Sequence, residues 1–220
     1  MRGRVIVCVL SAAVSGTAMV ARAEAPAAAI PAPASRVTVF AGLGYAYPVG
    51  SAERGTDTRD VSFGLVPLSI GASADLPHGW SAGAQFRYAL NIPTLCASGP
   101  DCESSLGRDM AFTVGIGRIL PSWRRFTVHL ALQIGWEWLT TKLSDAGVAA
   151  SRSWNGPLGT VEIFVDLKSH GPWCLGPALA FDAGLFSHFD LDTPAGHTGG
   201  SADTAFHVWP TISIRIGRRL

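Results

Sequence analysis

Charge is scarce in this 220-residue chain: Asp, Glu, Lys and Arg make up 15% of it, against 48% hydrophobic residues. The formal net charge is +1 and no basic block runs through the mature part, so the electrostatic footprint of a nucleic-acid binder is missing. Beyond the N-terminus no apolar run is long enough for a transmembrane helix, and helical periodicity is hard to find anywhere. There are four cysteines and no C-x-x-C pair, and His170, His188, His197 and His207 are scattered, so no structural metal site is legible and no cofactor is expected. Gly42-x-Gly44 and Gly115-x-Gly117 precede no helix and are therefore not phosphate loops.

What is present begins with an export signal. Arg2 and Arg4 form a positive start, Val5 to Val20 is apolar, and Ala21-Arg22-Ala23 offers a small-x-small cleavage site, which predicts a signal peptide over residues 1–23. Residues 24–35 are Ala/Pro-rich, with Pro26, Pro31 and Pro33 favouring an extended lead-in, and residues 36–220 form one domain.

From Arg36 the dominant period is two. Phe206, Val208, Pro210, Ile212, Ile214 and Ile216 alternate with His207, Trp209, Thr211, Ser213, Arg215 and Gly217. Phe126 to Trp138 alternates in the same way, and Val161, Ile163, Val165 and Leu167 oppose Thr160, Glu162, Phe164 and Asp166. Further strands are read at Val37 to Tyr47, Val61 to Ala74, Trp80 to Asn91, Met110 to Ile119 and Trp173 to Ser187, giving eight; in the second, a change of parity suggests a bulge near Pro67. Short turns at Asp75–Gly79, Leu120–Arg124 and Lys168–Pro172 alternate with long polar connections at 48–60, 92–109, 141–155 and 188–203. This is the pattern of an up-and-down barrel with short periplasmic turns and long external loops.

Tryptophan placement points the same way. Trp80, Trp123 and Trp173 fall at the short turns, and Trp136, Trp138 and Trp154 flank a long connection, so two interfacial girdles are expected. An indole suits that level because its ring is apolar and its N–H needs a polar partner.

With these strands, and with the terminal run Thr211-Ile212-Ser213-Ile214-Arg215-Ile216-Gly217, the chain resembles the OmpA/OmpX/OmpW group of small outer-membrane barrels over Arg36 to Leu220. The resemblance implies an all-β, eight-stranded antiparallel up-and-down transmembrane β-barrel in the cell outer membrane. It departs from the pattern in ending on Leu220 rather than an aromatic, and in carrying Pro67, Pro177 and Pro210 within strands, where a closed sheet has no free edge for proline.

The polar parity collects Gln85, Arg87, His129, Gln133, Glu137, Glu162, Asp166, Asp182, His207 and Arg215. An eight-stranded barrel is about wide enough for side chains to fill it, so Arg87, Glu137, Glu162, Asp166, Asp182 and Arg215 are expected to pair as an interior plug. Arg87 and Arg215 are expected to pair with some of Glu137, Glu162, Asp166 and Asp182; Arg215 can reach across strand seven to Asp182 or across strand one, whereas Arg87 needs a partner over the lumen. Cys96 and Cys102, bracketing a Gly99-Pro100 turn in one external loop, are expected to form a disulfide. Ser187, His188, Asp190 and Asp192 have the residue types of a hydrolytic triad, but alternation sends Ser187 and His188 to opposite faces, so no enzyme is expected. The reading is a monomeric structural scaffold or external-loop interaction module. Its partners are outer-membrane lipid and an extracellular ligand or surface partner at the loops, with no nucleic acid. Alternatives are a porin-like binding or transport barrel for a small apolar compound and, third, a lipid A-modifying enzyme.

Overall fold

The computed structural model describes residues 36–92, 102–120, 126–145, 148–168 and 171–220. The expected signal peptide, the lead-in, Trp123 and the pairing of Cys96 with Cys102 lie outside the described residues. Among the described residues ten strands follow in order: β1 (Val37–Ala46), β2 (Val49–Glu53), β3 (Thr56–Asp57), β4 (Gly64–Leu76), β5 (Trp80–Ile92), β6 (Cys102–Ile119), β7 (Phe126–Asp145), β8 (Val148–Lys168), β9 (Trp173–Thr193) and β10 (Gly196–Arg219). One short helix, α1 (Thr58–Val61), lies between β3 and β4. Among the described residues no helix is long and apolar enough to cross a membrane.

Eight of the strands close a ring. Each of β4 to β10 pairs antiparallel with its neighbour, and β1 pairs with both β4 and β10. The stagger can be followed from Thr38 through Ser73, Gly83, Gly115, Gln133, Thr160 and Asp182 to Trp209. Trp209 lies ten residues short of Arg219, the residue that pairs with Thr38 on β10. A stagger of that size over eight strands tilts them by ~40° to the barrel axis.

The outward face is a belt of exposed apolar side chains, among them Leu43, Ile70, Phe112, Ile116, Ile134, Phe181 and Ile214. On β6 its edges are marked by charge: Arg108 and Arg118 face outward, and the outward residues between them are Met110, Phe112, Val114 and Ile116. Ten residues rising ~3.3 Å each at a ~40° tilt cover ~25 Å of height, the apolar band of an outer-membrane barrel.

The three prolines sit where the ladder is interrupted. Pro67 pairs with Ala89 on β5, while on the other side the β1–β4 ladder skips Gly44 and Tyr45 opposite it. Pro177 pairs with Ile214, and the β8–β9 ladder skips Val165 and Asp166. Pro210 stands where β1 ends, accepting a hydrogen bond from the Tyr47 amide. A missing N–H thus costs no ladder bond at these positions. The expected bulge near Pro67 is absent, since register holds through β4; Leu65 simply points inward, where it is fully buried. A register shift lies instead on β8 between Asn155 and Leu158, at Gly156-Pro157.

The long connections also differ from expectation. β7 and β8 pair out to Asp145–Val148, and β9 and β10 out to Thr193–Gly196, so the segments read as polar loops are strand extensions beyond the belt. Hydropathy alternates only where one face meets lipid; with both faces in water the period-two signal disappears. The first connection folds as the β2–β3 hairpin and α1, which is capped by Asp57 and Asp60 in a capping box.

Candidate functional site in the barrel lumen

Inward-facing side chains form three layers. At the end of the lumen bounded by the long hairpins lies an apolar cluster of Ala46, Ala52, Leu65, Ala89, Leu139, Trp154, Phe186 and Trp209, with Val61 of α1 and Phe189 packed against it. Trp154 and Trp209 are fully buried. This corrects the placement of Trp154 in an interfacial girdle: the strand extension carries it inward. Rings run from Phe189 to Trp154 at 6.0 Å, on to Phe186 at 6.4 Å, then to His207, which stacks on Phe186 at 3.9 Å. The first long connection packs over this plug through Ala52 and Thr58, both fully buried.

Below the aromatic layer is a polar one centred on Arg87. Its guanidinium donates from Nε to Asp109 at 3.1 Å, from Nη2 to Glu137 at 3.1 Å and from Nη1 to Asp182. Glu137 also meets His207 Nε2 at 2.6 Å, and Asp182 accepts from the Thr160 hydroxyl at 2.5 Å. One cation therefore gathers three carboxylates from β6, β7 and β9, and all four residues are buried. Burial without partners would cost several kcal/mol per ion, so the shared Arg87 is what holds the three carboxylates in the lumen.

Toward the short-turn end, Arg215 pairs with Glu162 and donates to Gln85 Oε1 at 3.3 Å. Its guanidinium lies over Phe40 at 4.1 Å and over Phe164 at 5.2 Å. Of the carboxylates within its reach Arg215 takes Glu162, across the lumen on β8, and not Asp182, which is held by Arg87. Asp166 pairs with Arg219. Beneath these pairs a cavity of about 430 Å³ opens between the short turns, bordered by Arg36, Asp75, His129, Asp166, Cys174 and Arg219. Cys174 is a buried free thiol.

Of the six interior residues named from sequence, Arg87, Glu137 and Asp182 form one cluster, Arg215 and Glu162 a second, and Asp166 joins Arg219. Asp109 and Arg219 escape the sequence reading because they lie at the edges of the strands it assigns. The apolar plug escapes it too, although Trp209 sits on the polar parity of β10. Trp80, Trp173 and Trp138 are exposed on the outer face, with Trp136 partly buried there. At the short-turn rim Arg118 lies over the Trp80 ring at 5.1 Å and Arg218 over Trp173 at 5.7 Å, each a cross-strand pair. Ser187 Oγ and His188 Nδ1 are 3.0 Å apart, which corrects the view that strand alternation separates them. Ser187 stands beside the register shift between Ser201 and Ala205 of β10, where regular alternation lapses.

A closed ring of eight tilted antiparallel strands, apolar outside and salt-bridged within, defines the chain as a small outer-membrane-type β-barrel. A major outer membrane protein from Thermus thermophilus has this fold, with a TM-score of 0.63 and 11% identity over 86% of this chain and all of that one. Other similar structures are Ail, the attachment invasion locus protein of Yersinia pestis (TM-score 0.49, 13% identity, 84% of this chain and 99% of that one), and Neisserial surface protein A (0.46, 7%, 82% and 95%). No protein family matches the sequence, and no curated protein does.

Proposed function

We propose that the protein is a monomeric scaffold of the bacterial outer membrane, closed to passive flow, that presents rigid β-hairpins to the exterior as an interaction surface. The observation carrying this reading is the stacking of two seals in one lumen, the Trp154–Phe186–Trp209 plug above the Arg87 cluster. A conducting barrel would need a continuous wet path, and a small apolar ligand entering from the external rim would meet the plug. The paired extensions of β7–β8 and β9–β10 give the exposed face a fixed shape, which suits docking better than catalysis. No reaction is assigned: among the described residues no carboxylate is hydrogen-bonded to His188, so the Ser187–His188 contact lacks an orienting acid.

Impermeant thiol labelling of intact cells tests the orientation. Cysteines introduced singly at Arg54 in the β2–β3 turn and at Ala195 in the β9–β10 turn should label, and one at His78 in the β4–β5 turn should label only after lysis. Labelling of the His78 variant on intact cells would invert the topology and remove the proposed display surface.

A further inference from the structure

The outer wall of the barrel carries charge in only a few places, and one of them has the form of a binding site. On β6 and β7, at the hairpin-side edge of the apolar belt, Arg108 and Lys142 are exposed while their neighbours Asp109 and Thr141 are buried inside. Alternation therefore aims both cations outward, into the headgroup zone. Thr140, the cross-strand partner of Arg108, lies between them, and the register shift between Ser105 and Arg108 draws the Lys142 end of β7 alongside. A cavity of about 260 Å³ lies here, with Tyr88, Leu90 and Leu106 as its apolar side and Arg108, Thr140 and Lys142 as its polar side.

Neither cation has an ion-pair partner among the described residues, whereas the buried carboxylates Asp109, Glu137, Glu162, Asp166 and Asp182 all face the lumen. The opposite rim is different. There the outward Arg118 and Arg218 are occupied by stacking on Trp80 and Trp173. Two cations with no ion-pair partner among the described residues, flanking a hydroxyl, match a phosphate in charge and in donors, and Leu90 and Tyr88, which lead from Arg108 down into the belt, match a hydrocarbon chain.

We propose that Arg108 and Lys142 bind the phosphate of an anionic lipid in the external leaflet, with one of its acyl chains lying along Leu90 and Tyr88. The assignment rests on the outer-membrane placement proposed above. Native mass spectrometry of the folded protein titrated with diphosphoryl lipid A measures it, with folding checked by heat-modified gel mobility. A basic side chain at an anionic lipid surface strengthens binding about fivefold, so the Arg108→Ala/Lys142→Ala variant should bind ~30-fold more weakly than wild type. Arg118→Ala and the charge-conserving Arg108→Lys/Lys142→Arg variant should bind like wild type, and millimolar inorganic phosphate should not displace the lipid. Undiminished binding by the double alanine variant would overturn the proposal, as would equal binding of dephosphorylated lipid A by the wild-type protein. Displacement by inorganic phosphate would transfer the site to a free anion. A wild-type chain that never acquires the folded mobility in any lipid would instead refute the membrane placement.

Discussion

Replacing Arg87 by Met removes the cation from the middle of the lumen while keeping most of the side chain's volume. Three carboxylates are then left without their common partner, but not equally. Glu137 keeps His207 at 2.6 Å and Asp182 keeps the Thr160 hydroxyl at 2.5 Å, whereas Asp109 is left with Glu137, itself a carboxyl group, and its Oδ1 has no hydrogen-bond partner among the described residues. Removing one partner of a buried pair costs ~3–5 kcal/mol, and here the largest share should fall on Asp109. With a urea slope of ~2 kcal/mol/M, the unfolding midpoint followed by tryptophan fluorescence in lipid vesicles should drop by ~1.5–2.5 M. Adding Asp109→Asn to Arg87→Met should recover part of the loss, since the two sites share one network and their effects do not add. Arg54→Ala, in an exposed turn, should stay within ~0.5 kcal/mol of wild type. Equal midpoints for Arg87→Met and Arg54→Ala would mean that the polar layer is wet and that the ion pairs seal nothing.

Two further outcomes follow from the half of the molecule that carries the long hairpins. Trp209→Ala removes a fully buried ring from the plug and should cost ~3–5 kcal/mol by the same unfolding assay, and a loss under ~1 kcal/mol would show that the cluster is not close-packed. On the β9–β10 extension, a hydrogen bond from His197 Nδ1 to Asp192 at 2.7 Å, reinforced by the carboxylate's charge, raises the histidine above its ordinary pKa. The sign is that of a cation stabilised in the folded hairpin: the contact is fully present below the unfolded histidine's pKa and is lost as pH rises through the raised folded value. Asp192→Asn should bring the His197 titration, read from its imidazole resonances, back down toward ~6.5. An unchanged titration would show that the pair does not persist in solution.

The parts of this fold legible in the sequence are those where lipid imposes a period of two. The alternation of Ile212, Ile214 and Ile216 with Ser213, Arg215 and Gly217 is visible because one neighbour meets hydrocarbon and the next meets a polar lumen. Above the belt that contrast disappears, which is why the extensions that carry Trp154 and Phe189 read as loops, and why Trp154 reads as interfacial when it stands inside the mouth. Parity also tells which charges face inward, but not which of them pair. The partner of Arg215 depends on how far the stagger rotates β8 against β10 across the lumen, a quantity that no local pattern encodes. Asp109 lies one residue outside the strand that periodicity marks, and so the residue most dependent on Arg87 escapes notice.

The central claim, a lumen sealed by an aromatic plug over an ion-pair cluster, is tested most directly by the conductance of the purified, folded protein in a planar bilayer. The account predicts no stepwise current for the wild-type chain at neutral pH. It also predicts that steps appear only when both seals are opened together, as in a Trp209→Ala/Arg87→Ala variant. Reproducible unitary steps from the wild-type protein would contradict it and make the barrel a pore.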